Sequence, residues 1–338
     1  MVTKRQLVLA AAVLLTCLLV MNLAIVYLTR NSQPRRVMRH AQESRYASVL
    51  ALGNSLVAAG FDEAAFESGA GLSPPRGAAS LGLGATTPVE QLLLFRYALA
   101  HGIRPRLVIY GFYDFQLTAP TRLTTGELIG NKAMLYYLEP FYARRFYSLS
   151  PHDAFEFRVM HPIPMFAERG AIWPKIELLR RALAQQGMPV TPSNQFGRAS
   201  DFSLLESENP KEFDRQCEAS LYLPLARPVN ELLLQAQDAG IRLVIVEMPM
   251  RQTHRRLFYD TAGWSQYVAH IRNLLTPHHA IYIDASHWIQ DDSLFDDPLH
   301  LSPKGAAQFS QRLGSLLGPN SPNFAGHAAS PEPGSFLP

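Results

Sequence analysis

Residue types that together perform nucleophilic catalysis occur in two short segments that lie far apart in the chain. Ser55 follows Gly53 and Asn54, and His300 follows Asp297 by three residues. A serine hydroxyl is a weak nucleophile that needs a base within hydrogen-bonding distance, and the base needs an acceptor that fixes its orientation. With His300 as that base and Asp297 as that acceptor, the chemistry would be acyl transfer through Ser55.

The local sequence places Ser55 where such a nucleophile can work. Residues 48–53 form a short apolar run that ends in glycine and predicts a buried strand, so Ser55 falls at a strand-to-helix turn. In open α/β sheets, ligands bind at the carboxyl ends of the strands. The oxyanion of acyl transfer needs preorganised donors, and the amides of Ser55 and Gly84 are the candidates because glycine lets backbone approach a ligand closely.

Each of these signals also has a simpler interpretation. A serine after a strand is more often a helix cap than a nucleophile. Asp284 and His287 form a second Asp-x-x-His pair, which we rank lower because no helix start marked by Pro or Gly follows it. Cys217 lies in a segment that is typical of an ordinary helix face, and we prefer that interpretation to a cysteine nucleophile.

The elements that would position these residues alternate between short apolar strands and helices. Strands are predicted at 48–53, 78–83, 106–110, 241–246 and 280–283, and helices at 87–100, 231–239 and 302–317. Ser302 and Pro303 are typical of the cap and the first residue of the last helix. This rhythm predicts an α/β fold of the flavodoxin-like, three-layer α/β/α kind, with helices covering both faces of a five-stranded parallel sheet.

The predicted organisation is an N-terminal anchor (1–30), a polar and basic linker (31–46), the α/β domain (47–318) and a disordered tail (319–338). A segment at about 118–225 interrupts the strand–helix rhythm and is interpreted as a helical insertion after the third strand. Its stretch at 136–147 is rich in aromatic residues and arginine, for which we favour a helix packed across the sheet over a sugar- or membrane-binding surface. Residues 176–186 predict an amphipathic helix.

Length and composition argue against several classes of protein. The 338 residues can bury a sizeable core, and the formal net charge of +3 comes with no block of like charge typical of a nucleic-acid surface. Cys17 and Cys217 form neither a disulfide framework nor a zinc site. His152, His161 and His254 lack metal-ligand spacing and are interpreted as surface or packing residues. The spacing of these residues predicts no metal site, and acyl transfer through a serine triad implies no metal and no organic cofactor.

The N-terminal segment predicts a single membrane-spanning helix. Residues 7–28 carry no charge and span about 33 Å as a helix, which is enough to cross the hydrocarbon core. Residues 29–33 offer no small-x-small cleavage site, so an uncleaved anchor is favoured over a signal peptide. The four arginines that follow the helix by residue 39 outnumber the two basic residues before it, and this count would place the body in the cytoplasm.

Four sequence blocks together resemble the SGNH (GDSL-like) hydrolase superfamily. The blocks are LALGNSL at 50–56, LGLGATT at 81–87, YGFYD at 110–114 and FDDPLHLSPKG at 295–305, and the resemblance covers about 45–115 and 240–317. It implies that Ser55 is the nucleophile and that Asp297 and His300 complete the triad. It also implies that Gly84 donates to the oxyanion together with the Ser55 amide.

Two positions depart from the family pattern. The first block has Asn54 where aspartate is usual, which is a common variation. The third block has Tyr113 where the family carries an asparagine, whose amide is a third oxyanion donor. The hydroxyl of Tyr113, or Gln116, could take its place. Without a substitute, catalysis would be weakened by a few kcal/mol, or the domain would be degenerate.

The layout also resembles a membrane-anchored subgroup of this superfamily that takes part in O-acylation or deacylation of cell-envelope polymers. That resemblance implies a single-pass protein of the plasma (inner) membrane whose body faces the periplasm, against the count of basic residues. It further implies an acyl-ester or polysaccharide substrate and partner proteins in an envelope complex. Our leading hypothesis is therefore a serine esterase or O-acyltransferase.

Two alternatives stay open, of which the first belongs to another class of protein. The first is a catalytically degenerate assembly partner of an acylation complex, which the replacement at Tyr113 supports. The second is an ordinary lipid or small-ester hydrolase on the membrane. A deep apolar pocket beside Ser55 would favour the second alternative, whereas a polysaccharide enzyme should have an open groove.

Overall fold

The computed structural model of the protein describes residues 3–72, 77–118 and 209–318, together with scattered residues between 142 and 180. The tail at 319–338 lies outside the described residues. So do most of the predicted aromatic stretch at 136–147 and of the predicted helix at 176–186.

The strands are β1 (Val49–Leu52), β2 (Ala78–Ser80), β3 (Leu107–Phe112), β4 (Arg242–Glu247) and β5 (Ile281–Asp284). The helices up to β3 are α1 (Lys4–Thr29), α2 (Gln33–Glu43), α3 (Ser55–Gly60), α4 (Glu63–Ala70) and α5 (Pro88–Ala100). Those after β3 are α6 (Pro164–Ala167), α7 (Pro210–Ser220), α8 (Arg227–Asp238), α9 (Gln252–Phe258), α10 (Ala262–Leu275) and α11 (Pro303–Leu317).

The five strands form one parallel sheet in the order β2-β1-β3-β4-β5. This is the flavodoxin-like order, in which the direction of strand addition reverses between β1 and β3. The predicted α/β fold class is confirmed. The reversal leaves a crevice at the carboxyl ends of β1 and β3, which is where doubly wound folds bind their ligands.

Helices cover both faces of the sheet. Right-handed crossovers put α3 and α4, between β1 and β2, on one face, and α5 and α8 on the other. Accordingly, α11 packs against α3 and α4, while α8 packs against α5. The side chains of β1 and β3 are buried along their whole length, because both faces are covered and neither strand alternates polar with apolar residues.

Two helix starts follow from local sequence. Ser302 caps α11 by accepting a hydrogen bond from the Gly305 amide at 3.4 Å, and Pro303 is the first helical residue, as predicted. Thr87 and Glu90 form a reciprocal capping box at the start of α5. These caps fix where the loops before α5 and α11 end, and both loops carry candidate site residues.

The predicted linker at 31–46 differs from the structure, because most of it forms the helix α2. Val37 and Ala41 lie four residues apart and are buried against the domain. His40 Nε2 lies 2.7 Å from Glu63 Oε1 in α4, and this hydrogen bond raises the pKa of His40 despite the opposing effect of burial. Sequence patterns do not predict this helix, because only two apolar residues of a mostly basic segment form its buried face.

Helix α1 is the one helix among the described residues that is long and apolar enough to cross a membrane. By length and composition alone, a signal sequence near the N-terminus would pass the same test.

Candidate active site

Ser55 is the first residue of α3, directly after the turn that ends β1. Asn54 caps this helix, because its Oδ1 accepts a hydrogen bond from the Leu56 amide at 2.9 Å. Asn54 is buried, whereas Ser55 is partly exposed at the carboxyl edge of the sheet. The hydroxyl of Ser55 therefore lies at the N-terminus of a helix, where the free backbone amides and the helix dipole favour negative charge.

Glycine is required at position 53 by close packing. A Cβ atom there would lie 2.3 Å from Val57 Cγ2 and 2.8 Å from the carbonyl oxygen of Gly111. These contacts bring the end of β1, the first turn of α3 and the end of β3 together. The glycine thus allows the turn that carries Ser55 to lie against the neighbouring strand.

The loop after β2, which carries Gly84, is tied to the same turn. The Leu83 amide donates to the Gly53 carbonyl at 3.1 Å, and the Thr86 hydroxyl donates to the Leu83 carbonyl at 2.7 Å. Gly82 lies so close to α3 that a Cβ atom there would be 2.5 Å from the Ala58 amide nitrogen. Gly84 sits between these attachment points, in the loop held against the Ser55 turn.

Tyr113 follows β3 and completes the set of residues at this edge. It is partly exposed and is followed by Asp114, whose φ of 52° lies in the left-handed region. Asp114 Oδ1 accepts a hydrogen bond from the Gln116 amide at 2.9 Å, which stabilises that turn. Tyr113 and Gln116 therefore belong to one tight turn at the carboxyl end of β3.

Asp297 and His300 are in direct contact. His300 Nδ1 lies 2.7 Å from Asp297 Oδ2, while Asp297 Oδ1 accepts hydrogen bonds from the Leu299 and His300 amides at 2.9 and 2.8 Å. A carboxylate at Nδ1 assigns the proton to that nitrogen and leaves Nε2 as the basic nitrogen of the ring. This is the tautomer that a general base acting on a serine needs.

The environment of Asp297 keeps it ionised. Burial by itself would raise the pKa of Asp297, but the hydrogen bond and charge of His300 and the two backbone donors outweigh burial and lower it. The carboxylate is therefore held as an anion against the ring. It can stabilise the imidazolium that forms when His300 accepts a proton.

The loop that carries this pair is braced on both sides. The Asp296 amide donates to the His300 carbonyl at 2.9 Å, and the Arg251 amide donates to the Pro298 carbonyl at 3.1 Å. Leu301 lies against α3, since a Cβ atom on Gly60 would be 3.4 Å from Leu301 Cδ1. The loop thus adjoins the helix that begins with Ser55.

The alternative Asp-x-x-His pair uses other partners. Asp284 Oδ1 accepts hydrogen bonds from the amide and the hydroxyl of Ser286 at 3.1 and 2.6 Å. His287 Nε2 lies 3.4 Å from Asp260 Oδ1. Cys217 is buried in α7, and burial raises the pKa of its thiol to about 12, so the thiolate is scarce at neutral pH.

Two further titratable residues are buried, namely His254, for which the sequence predicts a surface or packing role, and Glu247, for which it predicts no role. The ring of His254 in α9 packs against that of Phe258, and burial lowers the pKa of His254 to about 4, although the charge of Asp297 acts in the opposite direction. Glu247 ends β4, and its two carboxylate oxygens accept hydrogen bonds from Trp264 Nε1 and the Tyr282 hydroxyl. The strand ending was the only available signal for Glu247.

A cavity of about 360 Å³ opens beside these elements. Tyr113, His254 and Leu299 line it from the side of the candidate triad, and α7 contributes Glu212, Phe213 and Gln216. Its walls combine aromatic rings with carboxylate, amide and hydroxyl groups. Among the described residues, no group of three or more His, Cys, Asp or Glu side chains is arranged to hold a metal ion.

The comparisons with known proteins do not assign a family to this chain. No protein-family model and no curated protein matches the chain. Among solved structures, a crystal structure from Bacteroides fragilis described as "a putative acylhydrolase" is similar over 81% of this chain and 92% of that chain. The sequence identity is 9% and the TM-score is 0.37, a likeness too low to bear on mechanism.

Proposed function

We propose that this protein is a membrane-anchored serine esterase or O-acyltransferase of the SGNH type. It would act on acyl esters, with a cell-envelope polysaccharide as the substrate class, through an acyl-enzyme at Ser55. The observation that carries the proposal is the 2.7 Å contact between Asp297 and His300, which leaves Nε2 of the ring as a base. Ser55, Gly84 and Tyr113 follow three adjacent strands at the same edge of the sheet.

In the first half-reaction, Ser55 Oγ attacks the ester carbonyl while His300 Nε2 accepts its proton. The oxyanion receives hydrogen bonds from the amides of Ser55 and Gly84, with the Tyr113 hydroxyl as the third donor. Collapse breaks the bond to the leaving alcohol, which takes the proton from His300, and Asp297 stabilises the imidazolium in between. The acyl group is then bonded to Ser55.

In the second half-reaction, the acceptor hydroxyl gives its proton to His300 and attacks the acyl-enzyme. Breakdown of the second tetrahedral intermediate returns that proton to Ser55 and releases the new ester. With water as acceptor, the product is a carboxylic acid. Hydrolase and transferase therefore use the same residues and differ only in the acceptor.

The cavity beside the site supports a polyhydroxylated ligand over a lipid. A lipid esterase should have a deep apolar pocket, whereas this cavity presents Asp114, Asn209 and Glu212 beside the ring of Phe213. Carboxylate and amide oxygens accept hydrogen bonds from hydroxyl groups, and an aromatic ring can cover the apolar face of a sugar.

The first test compares the full-length protein in detergent with Ser55→Ala and His300→Gln variants, using p-nitrophenyl acetate and mass spectrometry of the acylated peptide. His287→Gln is the matched control, since it alters the other Asp-x-x-His pair. We expect losses of roughly 10⁴-fold or more for the first two variants and wild-type activity for the control.

Acylation elsewhere than at Ser55, or activity that survives Ser55→Ala, would rule out the proposed nucleophile. A folded protein with neither activity nor labelling, also with acylated sugar donors, would favour the non-catalytic assembly partner. Competition between water and oligosaccharide acceptors then separates esterase from acyltransferase.

The proposal includes an orientation with the body on the periplasmic side. Tyr222 is 87% exposed on the body, so a cysteine placed there can be reached by reagents from its own side of the membrane. Labelling of Tyr222→Cys by an impermeant maleimide in spheroplasts is expected. Protection until the membrane is dissolved would place the body in the cytoplasm instead.

A further inference from the structure

The C-terminal third of α1 carries a polar side chain that is paired with a distant segment. Asn22 Oδ1 accepts a hydrogen bond from the Met165 amide at 3.0 Å. Met165 is the second residue of α6, so its amide is one of those that have no partner within their own helix. Each group thus satisfies the hydrogen-bonding requirement of the other.

One face of α1 is covered where α6 packs against it. Asn22, Ile25, Val26 and Thr29 are partly or fully buried, while the residues between them are exposed. This spacing of three and four residues is that of a single helix face. The end of α1 is therefore part of the tertiary structure of the body.

The position of Asn22 along α1 sets its depth in a bilayer. Arg5 and Arg30 bracket the uncharged segment, and its midpoint lies between residues 17 and 18. At 1.5 Å per residue, Asn22 lies about 7 Å from that midpoint. A hydrocarbon core about 30 Å thick reaches about 15 Å from its midplane, so Asn22 lies about 8 Å inside it.

The C-terminal end of α6 lies beside α2, and therefore beyond the membrane-crossing part of α1. Glu168 directly follows α6, and its Oε1 lies 2.6 Å from Arg35 Nε in α2, beyond the end of α1. The four residues of α6 rise about 6 Å, which is close to the depth of Asn22 below the edge of the hydrocarbon core. The segment therefore runs from hydrocarbon depth to the headgroup level.

The residues of this segment suit such a position. Ile163, Pro164, Met165 and Phe166 are apolar and only partly covered by protein. Pro164 has no N–H, the Met165 amide is bonded to Asn22, and the Phe166 amide donates to the Ile163 carbonyl at 3.0 Å. Backbone can enter hydrocarbon only when its polar groups are satisfied within the protein, and the amides of Met165 and Phe166 are.

We propose that residues 163–166 insert into the bilayer leaflet next to the body and contact lipid acyl chains, forming a second membrane attachment beside α1. The proposal rests on α1 crossing a bilayer, which is part of the proposed function, and is independent of the triad. The ligand class is the hydrocarbon of the leaflet, and the headgroup level is marked by the pair of Arg35 with Glu168.

The test uses the full-length protein with Cys17→Ala, reconstituted in vesicles of phosphatidylethanolamine and phosphatidylglycerol. An environment-sensitive fluorophore is attached at Phe166→Cys or, as a control, at Tyr222→Cys, which is exposed on the body. Cys217 is fully buried and stays unlabelled. Quenching is measured with doxyl-labelled lipid and with aqueous iodide.

We expect the label at position 166 to show blue-shifted emission, strong quenching by doxyl lipid and little quenching by iodide, and the control to show the reverse. The proposal would be overturned if iodide quenched the label at both positions, or if neither doxyl lipid nor iodide quenched the label at position 166. Failure of the protein to float with the vesicles would also overturn it. All of these readouts are independent of esterase activity, so they separate this proposal from that of the triad.

A second pair of variants tests the role of Asn22. Asn22→Leu removes the acceptor of the Met165 amide and should weaken the lipid quenching of the label at position 166. Met21→Leu is the matched control, because Met21 is exposed on another face of α1. Equal quenching in the two variants would contradict the hydrogen bond as the device that holds α6 in the bilayer.

Discussion

Replacing Glu247 with glutamine should remove a pH-dependent part of the protein's stability. Glu247 is 2% exposed, and its Oε1 accepts from Trp264 Nε1 at 2.8 Å while its Oε2 accepts from the Tyr282 hydroxyl at 2.5 Å. Glutamine has the same shape. Its oxygen can accept from Trp264, and its amide can donate to the Tyr282 oxygen.

The size of the effect follows from the pKa of Glu247. Burial raises this pKa from 4.5 to about 7, with repulsion from Asp284 adding to it, although the bonds from Tyr282 and Trp264 oppose the rise. Between about pH 4.5 and 7 the folded protein therefore binds more protons at this site than the unfolded chain. The contribution of Glu247 to the free energy of unfolding is complete below about pH 4.5. It decreases by about 3 kcal/mol in total as the pH rises to about 7.

The assay is urea denaturation of wild type and Glu247→Gln, followed by tryptophan fluorescence at pH 4.5 and pH 8. The free energy of unfolding of the variant minus that of wild type should be about 3 kcal/mol larger at pH 8 than at pH 4.5, because only wild type loses stability over this range. Other titrating groups are common to both proteins and cancel in the difference. An equal difference at the two pH values would refute the assigned ionisation of Glu247.

Three further predictions concern the site and its supports. In wild type, the pKa of buried His254 is about 4, so the protein loses stability as pH falls from about 6.5 to 4. His254→Phe should abolish this loss, which is about 3 kcal/mol, in urea denaturation over that pH range. The same dependence of unfolding free energy on pH in variant and wild type would contradict the prediction. Gly53→Ala places a methyl group 2.3 Å from Val57 Cγ2 and should cost about 1–3 kcal/mol, seen as a lower Tm; an unaltered Tm would show that the turn can relax. Asp297→Asn should lower kcat for p-nitrophenyl acetate by about 10⁴-fold with little change in KM, and a loss below about tenfold would remove Asp297 from the triad.

The sheet could be predicted because its signal is local. The central strands are apolar along their whole length, as strands covered on both faces must be, and glycine or polar residues end them. The strand boundaries differ from the prediction by up to three residues, most at the end of β2, because backbone pairing with a neighbouring strand decides where a strand stops. The helices α4, α9 and α10 were not predicted.

The same distinction holds for the candidate site. Asp297 and His300 are three residues apart in sequence, so a short sequence motif is enough to predict their contact. His254 contacts the ring of Phe258 four residues away, but it lines the cavity together with Phe213, which lies in the segment interpreted as an insertion. No spacing rule connects residues that far apart, so their part in the site is visible only in the folded protein.

The docking of α2 limits where the catalytic edge can go. Only three residues separate α1 from α2, and Val37 and Ala41 fix α2 to the domain, so the described chain from residue 29 to β1 contains no flexible stalk. With α1 in a bilayer, as proposed, the body would stay at a fixed distance from the membrane surface, whereas a body on a flexible linker would sample many distances. Its effective concentration would then be high for substrates presented at that distance and close to zero for those held farther out.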